Sequence, residues 1–290
     1  MSTHKSTTLL GVIGNPVKHS LSPLMHNAAI RQLGLPMAYL PFHIDTEADL
    51  AGFLAWMKGS NLRGVNVTVP YKEAVIPHLD ELDDRAAQVG AVNTIVNENG
   101  RLKGYNTDLP GIQVAIRDAF GEQSYERVVV IGAGGAAKGV AHALVDMGLS
   151  TLCILNRNQD RAGELSKSLQ EMYPSLDISV AGLHVDSALK DRLATASLVI
   201  QTTSVGMDSL TNPLDDMSWV QTDQAVMDII YAPLETPFLQ VAADTGAGIA
   251  NGLGMLAAQA AVAFEHFTGE SVSFEAFYQE LLAHCTEQNR

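Results

Sequence analysis

The sequence predicts an α/β fold in two domains, and three observations carry that prediction. Short β-branched runs alternate with amphipathic stretches along most of the chain, as in a largely parallel sheet covered by helices. One of these units, Arg127 to Gly148 (RVVVIGAGGAAKGVAHALVDMG), places a glycine-rich turn between strand and helix. The 290 residues also suffice for two domains of ordinary size, each with its own core.

Within that unit, Val128 to Ile131 is a run of the kind a strand buried on both faces requires. Gly132, Gly134 and Ala137 then fit the G-x-G-x-x-G/A turn that opens a helix in nucleotide-binding βαβ units. Val140, Ala143, Leu144 and Met147 recur at helical spacing, and Gly148 stops the helix. Such glycines either make a tight turn alone or let the backbone approach a pyrophosphate held by the helix start. The next run, Thr151 to Leu155, ends where an NAD-binding domain places an acidic residue on the ribose. Here Asn156 and Arg157 stand there, with Arg161 one turn further on. Without a carboxylate to repel it, a 2′-phosphate can be held by two guanidiniums, so NADP is favoured over NAD. The alternative is a pair of solvated arginines.

Composition removes several function classes. Apolar residues make up 47% of a chain with net charge −14, which argues against nucleic acid or an anionic membrane as partner. No apolar run approaches the ~18 residues of a membrane span. The N-terminal MSTHKSTT lacks the apolar core of a signal peptide, so a cytoplasmic location is expected. Cys153 and Cys285 form neither a disulfide framework nor a metal motif, and no metal is expected. The nine histidines are scattered and read mostly as surface residues.

The first domain, residues 1–108, opens with a strand over Leu9 to Ile13, then the loop V-K-H-S-L-S-P. Pro23 lies near the start of a helix carrying Leu24, Ala28, Ile30 and Leu33. A strand over Met37 to Phe42 precedes a helix through Phe53, Leu54 and Met57, which Asp45 or Thr46 can cap. Leu62 to Val69 is a third strand, closed by Pro70; residues 71–90 read as short helical pieces around Pro77. Thr94 to Val96 and Leu102 to Tyr105 flank Asn99-Gly100, a strong hairpin signal. A helix from about Gly111 to Phe120 leads into the second domain, residues 109–250. Strands over Ile178 to Ala181, Leu198 to Thr202 and Ala225 to Ile230 and a helix around Phe238 to Ala242 continue it. The segment 251–290 holds an Ala-rich helix, Gly252 to Phe267, and a last helix, Phe274 to His284. It is expected to return to the first domain, which is then discontinuous.

A dinucleotide domain beside a second α/β domain, with a cleft between them, is a dehydrogenase architecture. The candidate chemistry lies in Asn66-Val67-Thr68-Val69-Pro70-Tyr71-Lys72. Asn66 and Thr68 alternate with valines, so both point to one side of the strand. That side either faces solvent on an edge strand or meets a ligand with several hydroxyls. Lys72 follows just past the strand.

These residues resemble the shikimate dehydrogenase family. NVTVPYK is joined by S-L-S-P (Ser20 to Pro23), GYNTD (Gly104 to Asp108), GAGGA (Gly132 to Ala136), QTTSVGM (Gln201 to Met207), DIIY (Asp228 to Tyr231) and GLGMLAAQAA (Gly252 to Ala261), in the family's order. The resemblance implies an α/β substrate domain with a mostly parallel sheet and a Rossmann NADP-binding domain. It implies reduction of 3-dehydroshikimate to shikimate with NADPH, on the route to chorismate and the aromatic amino acids, by a monomer or homodimer. Lys72 and Asp108 become the catalytic pair, and Ser20 and Ser22 the carriers of the substrate carboxylate. Thr68, Asn93, Asp108 and Gln259 would hold ring hydroxyls, with Asn66 and Tyr231 lining the pocket. Gly132, Ala133, Gly134, Gly135 and Ala136 would take the pyrophosphate, and Asn156, Arg157, Asn158 and Arg161 the adenosine phosphate. Asp84, Thr203, Ile229 and Gly252 would lie toward the nicotinamide. Two departures stand out: Asn158 where NADP-preferring members often have Thr, and Gln201-Thr202 in place of Asn-Ala. Quinate, or NAD, is the rival within the family, and a dinucleotide-binding sensor without turnover the rival outside it.

Overall fold

The computed structural model describes residues 7–288. It divides into two units, Met1–Asp108 with Ala257–Arg290, and Leu109–Leu256. The first contains β1 (Thr8–Gly14), α1 (Ser22–Gln32), β2 (Met37–His43), α2 (Glu47–Lys58), β3 (Leu62–Val67), β4 (Glu81–Leu82), α3 (Asp84–Val89), β5 (Thr94–Glu98) and β6 (Arg101–Tyr105). Its sheet runs β2-β1-β3-β5-β6-β4. The β1–β2, β1–β3 and β4–β6 pairings are parallel. The two antiparallel pairings, β3–β5 and β5–β6, follow from the hairpin, whose Asn99 and Gly100 both take positive φ (56° and 93°).

Several elements differ from the sequence expectation, each for a local reason. β3 ends at Val67, so Thr68 lies beyond the strand, its N–H donating to the Ile13 carbonyl at 2.9 Å. β3 is also an interior strand, flanked by β1 and β5, not an edge. Glu81–Leu82, within the stretch read as helical, is a two-residue edge strand beside β6. Thr46 caps α2 in a reciprocal box with Asp49. On α1 the inward face is Met25, His26, Ala29 and Ile30, and Leu33 is left exposed.

The second unit contains α4 (Asp108–Phe120), whose first residue belongs to the other unit, then β7 (Arg127–Ile131), α5 (Gly135–Asp146), β8 (Thr151–Leu155), α6 (Gln159–Met172), β9 (Asp177–Ala181), α7 (Ser187–Ala194), β10 (Leu198–Gln201), β11 (Ala225–Asp228), α8 (Pro237–Thr245) and β12 (Gly248–Ala250). Its sheet, β12-β11-β10-β7-β8-β9, is parallel throughout. That is the doubly wound order, with its switch point between β7 and β10. α7 and β12 carry weak sequence signals: α7 is polar and relies on its Asp186 cap, and β12 is three residues long.

α9 (Leu253–Thr268) and α10 (Phe274–Gln288) complete the chain. From Ala257 onward these residues belong to the first unit. There Phe264, Phe267 and Phe277 close around His26, with ring centroids 5.9, 6.1 and 5.5 Å away. His26 is fully buried and His142 nearly so, against the expectation of surface histidines.

Candidate active site

In the first unit the polar cluster is built from the ends of β3, β5 and β6. Past β3 the chain turns sharply, with Tyr71 N–H donating to the Thr68 carbonyl. The Lys72 carbonyl accepts from Val92 N–H at 2.8 Å, which pins this turn to the approach of β5. Asp108 starts α4 just after β6. Lys72 Nζ donates to Asp108 Oδ2 at 2.6 Å, and the two side chains are 17% and 7% exposed. An ammonium and a carboxylate this enclosed need each other, since neither charge is tolerated alone out of water.

The other Asp108 oxygen is also held: Asn93 Nδ2 donates to Oδ1 at 2.9 Å. The same amide nitrogen donates to Thr107 Oγ1 at 3.0 Å and lies 3.5 Å from Gln259 Oε1. Asn93 Oδ1 accepts from Thr107 N–H at 2.7 Å and from Thr94 Oγ1 at 3.0 Å. Asn66 donates to Thr94 Oγ1 at 3.0 Å and to the Asn93 carbonyl at 3.3 Å. Its buried polarity is therefore met by the protein, which neither sequence alternative foresaw. Thr94 and Thr107 are the bridging residues that sequence reasoning missed. Both lie beside residues singled out there, Thr94 after Asn93 and Thr107 inside GYNTD.

Ser22 is buried at the first turn of α1, and its N–H donates to Ser20 Oγ at 3.3 Å. Asp84 is exposed at the start of α3, where a carboxylate meets the positive end of the helix.

In the second unit, Gly132 has φ +120°, and a Cβ there would come 2.3 Å from Thr202 Oγ1. Only glycine fits that crossing of the β7 and β10 ends. Gly134 is the N-cap of α5, which has no side-chain cap and no acid in its first turn. A Cβ on Gly134 would meet nothing within 4 Å. An uncapped helix start, open and free of negative charge, suits a pyrophosphate. Ala133 is buried, while Gly135 and Ala136 form the partly exposed first turn. At the end of β8, Asn156 Nδ2 donates to the Asn158 carbonyl at 2.7 Å, and Arg157 and Arg161 are exposed. Asn158 caps α6, its Oδ1 accepting from Arg161 N–H at 3.1 Å. These residues fit a dinucleotide carrying a 2′-phosphate: dipole, turn and guanidiniums are present, and no carboxylate stands at positions 156–158.

Gln201, one of the two departures, is fully buried and splints the loop after β10. Its Nε2 donates to the Thr203 and Val205 carbonyls at 3.2 and 2.9 Å, and its Oε1 accepts from Thr203 N–H. It also reaches Asp228 Oδ1 at 3.4 Å. Asp228 accepts from Ile230 N–H and the Thr236 hydroxyl as well, yet burial still pushes its carboxyl up to about 6. Ile229 N–H donates to the Gln201 carbonyl at 3.0 Å, and Gly252 N–H to the Ile230 carbonyl at 2.9 Å. A Cβ on Gly252 would lie 1.9 Å from the Ile229 oxygen, so packing alone requires glycine there. Tyr231 is half-buried. Among the described residues no cluster of His, Cys, Asp or Glu could hold a metal, and no helix is long and apolar enough to cross a membrane.

Three family models match successive parts of the chain. Residues 12–95 match the shikimate dehydrogenase substrate binding domain, 115–216 shikimate/quinate 5-dehydrogenase, and 252–282 the shikimate 5′-dehydrogenase C-terminal domain. A shikimate dehydrogenase (NADP(+)) of Moorella thermoacetica is 44% identical over 268 residues, covering 91% of this chain and 89% of that protein. Among solved structures, the Thermus thermophilus shikimate 5-dehydrogenase with NADP(H) and shikimate superposes with a TM-score of 0.84 at 36% identity, covering 96% and 99% of the two chains. The quinate dehydrogenase of Corynebacterium glutamicum with NAD has a TM-score of 0.88 at 31% identity, covering 96% and 100%.

Proposed function

The chain belongs to the shikimate dehydrogenase family, and from that premise we propose that Lys72 and Asp108 are its acid–base pair. The reaction is the reversible, NADP-dependent reduction of 3-dehydroshikimate to shikimate, serving aromatic amino acid biosynthesis in the cytoplasm. The observation that carries this reading is the enclosed Lys72–Asp108 pair, 2.6 Å apart, with Asn93 holding the second carboxylate oxygen.

NADPH, when bound, supplies the hydride to the ketone carbon. The oxygen left behind gathers negative charge and needs a proton as it forms. Lys72 Nζ carries both the positive charge and that proton, and Asp108, 2.6 Å away, keeps the ammonium aimed. In the oxidative direction the neutral amine takes the hydroxyl proton back. Ser20 and Ser22 receive the carboxylate, and Thr68, Asn93, Gln259 and Asp108 the ring hydroxyls. Asn66, its amide hydrogens already committed, lines the pocket and holds its neighbours in place; Tyr231 is the second lining residue. The Gly132–Ala136 turn takes the pyrophosphate, with Asn156, Arg157, Asn158 and Arg161 at the adenosine phosphate. Asp84, Thr203, Ile229 and Gly252 are assigned to the nicotinamide side. The chain works as a monomer or homodimer.

The test is kcat/KM for shikimate and quinate, each with NADP and NAD. Shikimate with NADP should lead. NADP should exceed NAD by at least about tenfold, one charge-assisted contact's worth. Quinate pays for an extra hydroxyl on the carbon bearing its carboxylate and should fall roughly ten- to a hundredfold lower. A quinate value equal to that for shikimate, or parity of the two cofactors, would refute the assignment.

A further inference from the structure

Gln201 and Asp228 are the last register partners of β10 and β11, and both side chains are fully buried. On its other side Gln201 is in register with Ile131, the residue before the Gly132 turn. The carboxyl ends of β7, β10 and β11 therefore lie level, side by side across the switch point of the sheet.

The chain leaving β10 is held by side chains, not by a strand ladder. A glutamine amide has two donor hydrogens and one acceptor oxygen. The Gln201 oxygen takes the Thr203 N–H, and its two hydrogens serve the Thr203 and Val205 carbonyls, with Asp228 Oδ1 a more distant acceptor at 3.4 Å. The Val205 N–H donates to the Thr203 hydroxyl at 3.1 Å. Asp228 holds the exit of β11 in the same way, accepting from the Ile230 N–H at 2.9 Å and the Thr236 hydroxyl at 2.7 Å. On the opposite flank the Thr202 hydroxyl donates to the Ile131 carbonyl at 2.7 Å. Backbone groups of a surface loop are ordinarily met by water, which allows the loop many paths. Here they are met from the core, which allows one.

On the cofactor reading proposed above, the 2′-phosphate lies at the end of β8 and the pyrophosphate at the turn after β7. A dinucleotide laid across the carboxyl ends continues in the same direction, and the next strands are β10 and β11. With strands about 4.8 Å apart, its nicotinamide half falls over the two braced exits. We infer that Gln201 is a positioning residue for that half, fixing the backbone from Thr203 to Val205 before the cofactor arrives, with Asp228 and Thr236 bracing the neighbouring exit. The inference rests on that cofactor reading. A loop set in advance need not be ordered on binding, and a nicotinamide out of place transfers hydride more slowly.

Gln201→Met keeps the length and bulk of the side chain and removes its amide. The single-turnover rate of NADP reduction by shikimate should fall about tenfold, while binding of adenosine 2′,5′-bisphosphate, which carries the phosphate end of the cofactor alone, stays within about twofold of the parent. A rate within about twofold of the parent's would overturn the inference. So would an equal loss of bisphosphate binding, since Gln201 would then hold the unit together and not one end of the cofactor. A parent enzyme that does not bind the bisphosphate would sink the cofactor reading itself, and the inference with it. Should Gln201→Met not fold, amide exchange in the unmodified, cofactor-free enzyme decides. The Thr203 and Val205 N–H groups should already be protected there. Exchange at the rate of an open loop, or protection that arrives only with NADP, would show that the cofactor orders the loop and would overturn the inference.

Discussion

At the scale of single residues, the ion pair sets the sharpest expectation. If Lys72 is the proton donor proposed above, Lys72→Ala should lower kcat by roughly 10²–10⁴-fold with KM far less affected, since the group would act on charge that forms only during reaction. A raised KM at unchanged kcat would make Lys72 a binding residue. In Asp108→Asn, one amide donor must face Lys72 Nζ, itself a donor, if Asn93 keeps its acceptor. That variant should lose kcat and also gain KM. At the cofactor end, replacing Arg157 and Arg161 together by Ala should erase most of the preference for NADP while leaving turnover with NAD nearly intact, measured as the ratio of kcat/KM values. Lys72 and the arginines were singled out in the sequence because their chemistry is unusual where they stand. The buried His26 was not. A histidine inside S-P-L-M-H-N looks like a surface residue, and the aromatic rings that bury it come from α9 and α10.

At the scale of elements, strong strands and their turns were readable, and short ones were not. The run Val128 to Ile131 is apolar on both faces because β7 lies between β8 and β10 with helices over it. β4 and β12, two and three residues long, hold no periodicity to detect; they are strands because a neighbour offers an edge. Asn66 and Thr68, read as one polar face, part company because β3 stops between them. Gly252 shows how packing outranks propensity. It joins β12 to α9, and its Cβ would clash with backbone, which cannot swing away as a flexible side chain would. Gly252→Ala should therefore cost roughly 3 kcal/mol or more, read as a lower urea midpoint. An unchanged midpoint would show that this join gives way freely.

At the scale of the whole molecule, two buried ionisable groups give the units opposite responses to acid. Burial pulls His26 down from 6.5 to about 3. Unfolded chains take up that proton as pH falls below 6.5 while the folded one does not, so His26 costs stability from there down toward 3. Asp228, raised from 3.8 to about 6, works the other way: its folded carboxyl keeps a proton the unfolded chain releases, and stability falls as pH rises through that window. His26→Phe should flatten the acid loss of the first unit, and Asp228→Asn the loss of the second between pH 4 and 6. Urea melts at pH 4, 5, 6 and 7 measure both, and parallel curves for variant and parent would contradict these assignments. The discontinuity of the first unit sets an order of birth. At roughly 5–20 residues per second, the ~240 residues between His26 and Phe264 take on the order of 10 to 50 s to translate. All of Leu109–Leu256 has been translated before the rings that cover His26. The unit that begins the chain is therefore the last to have all of its core residues made.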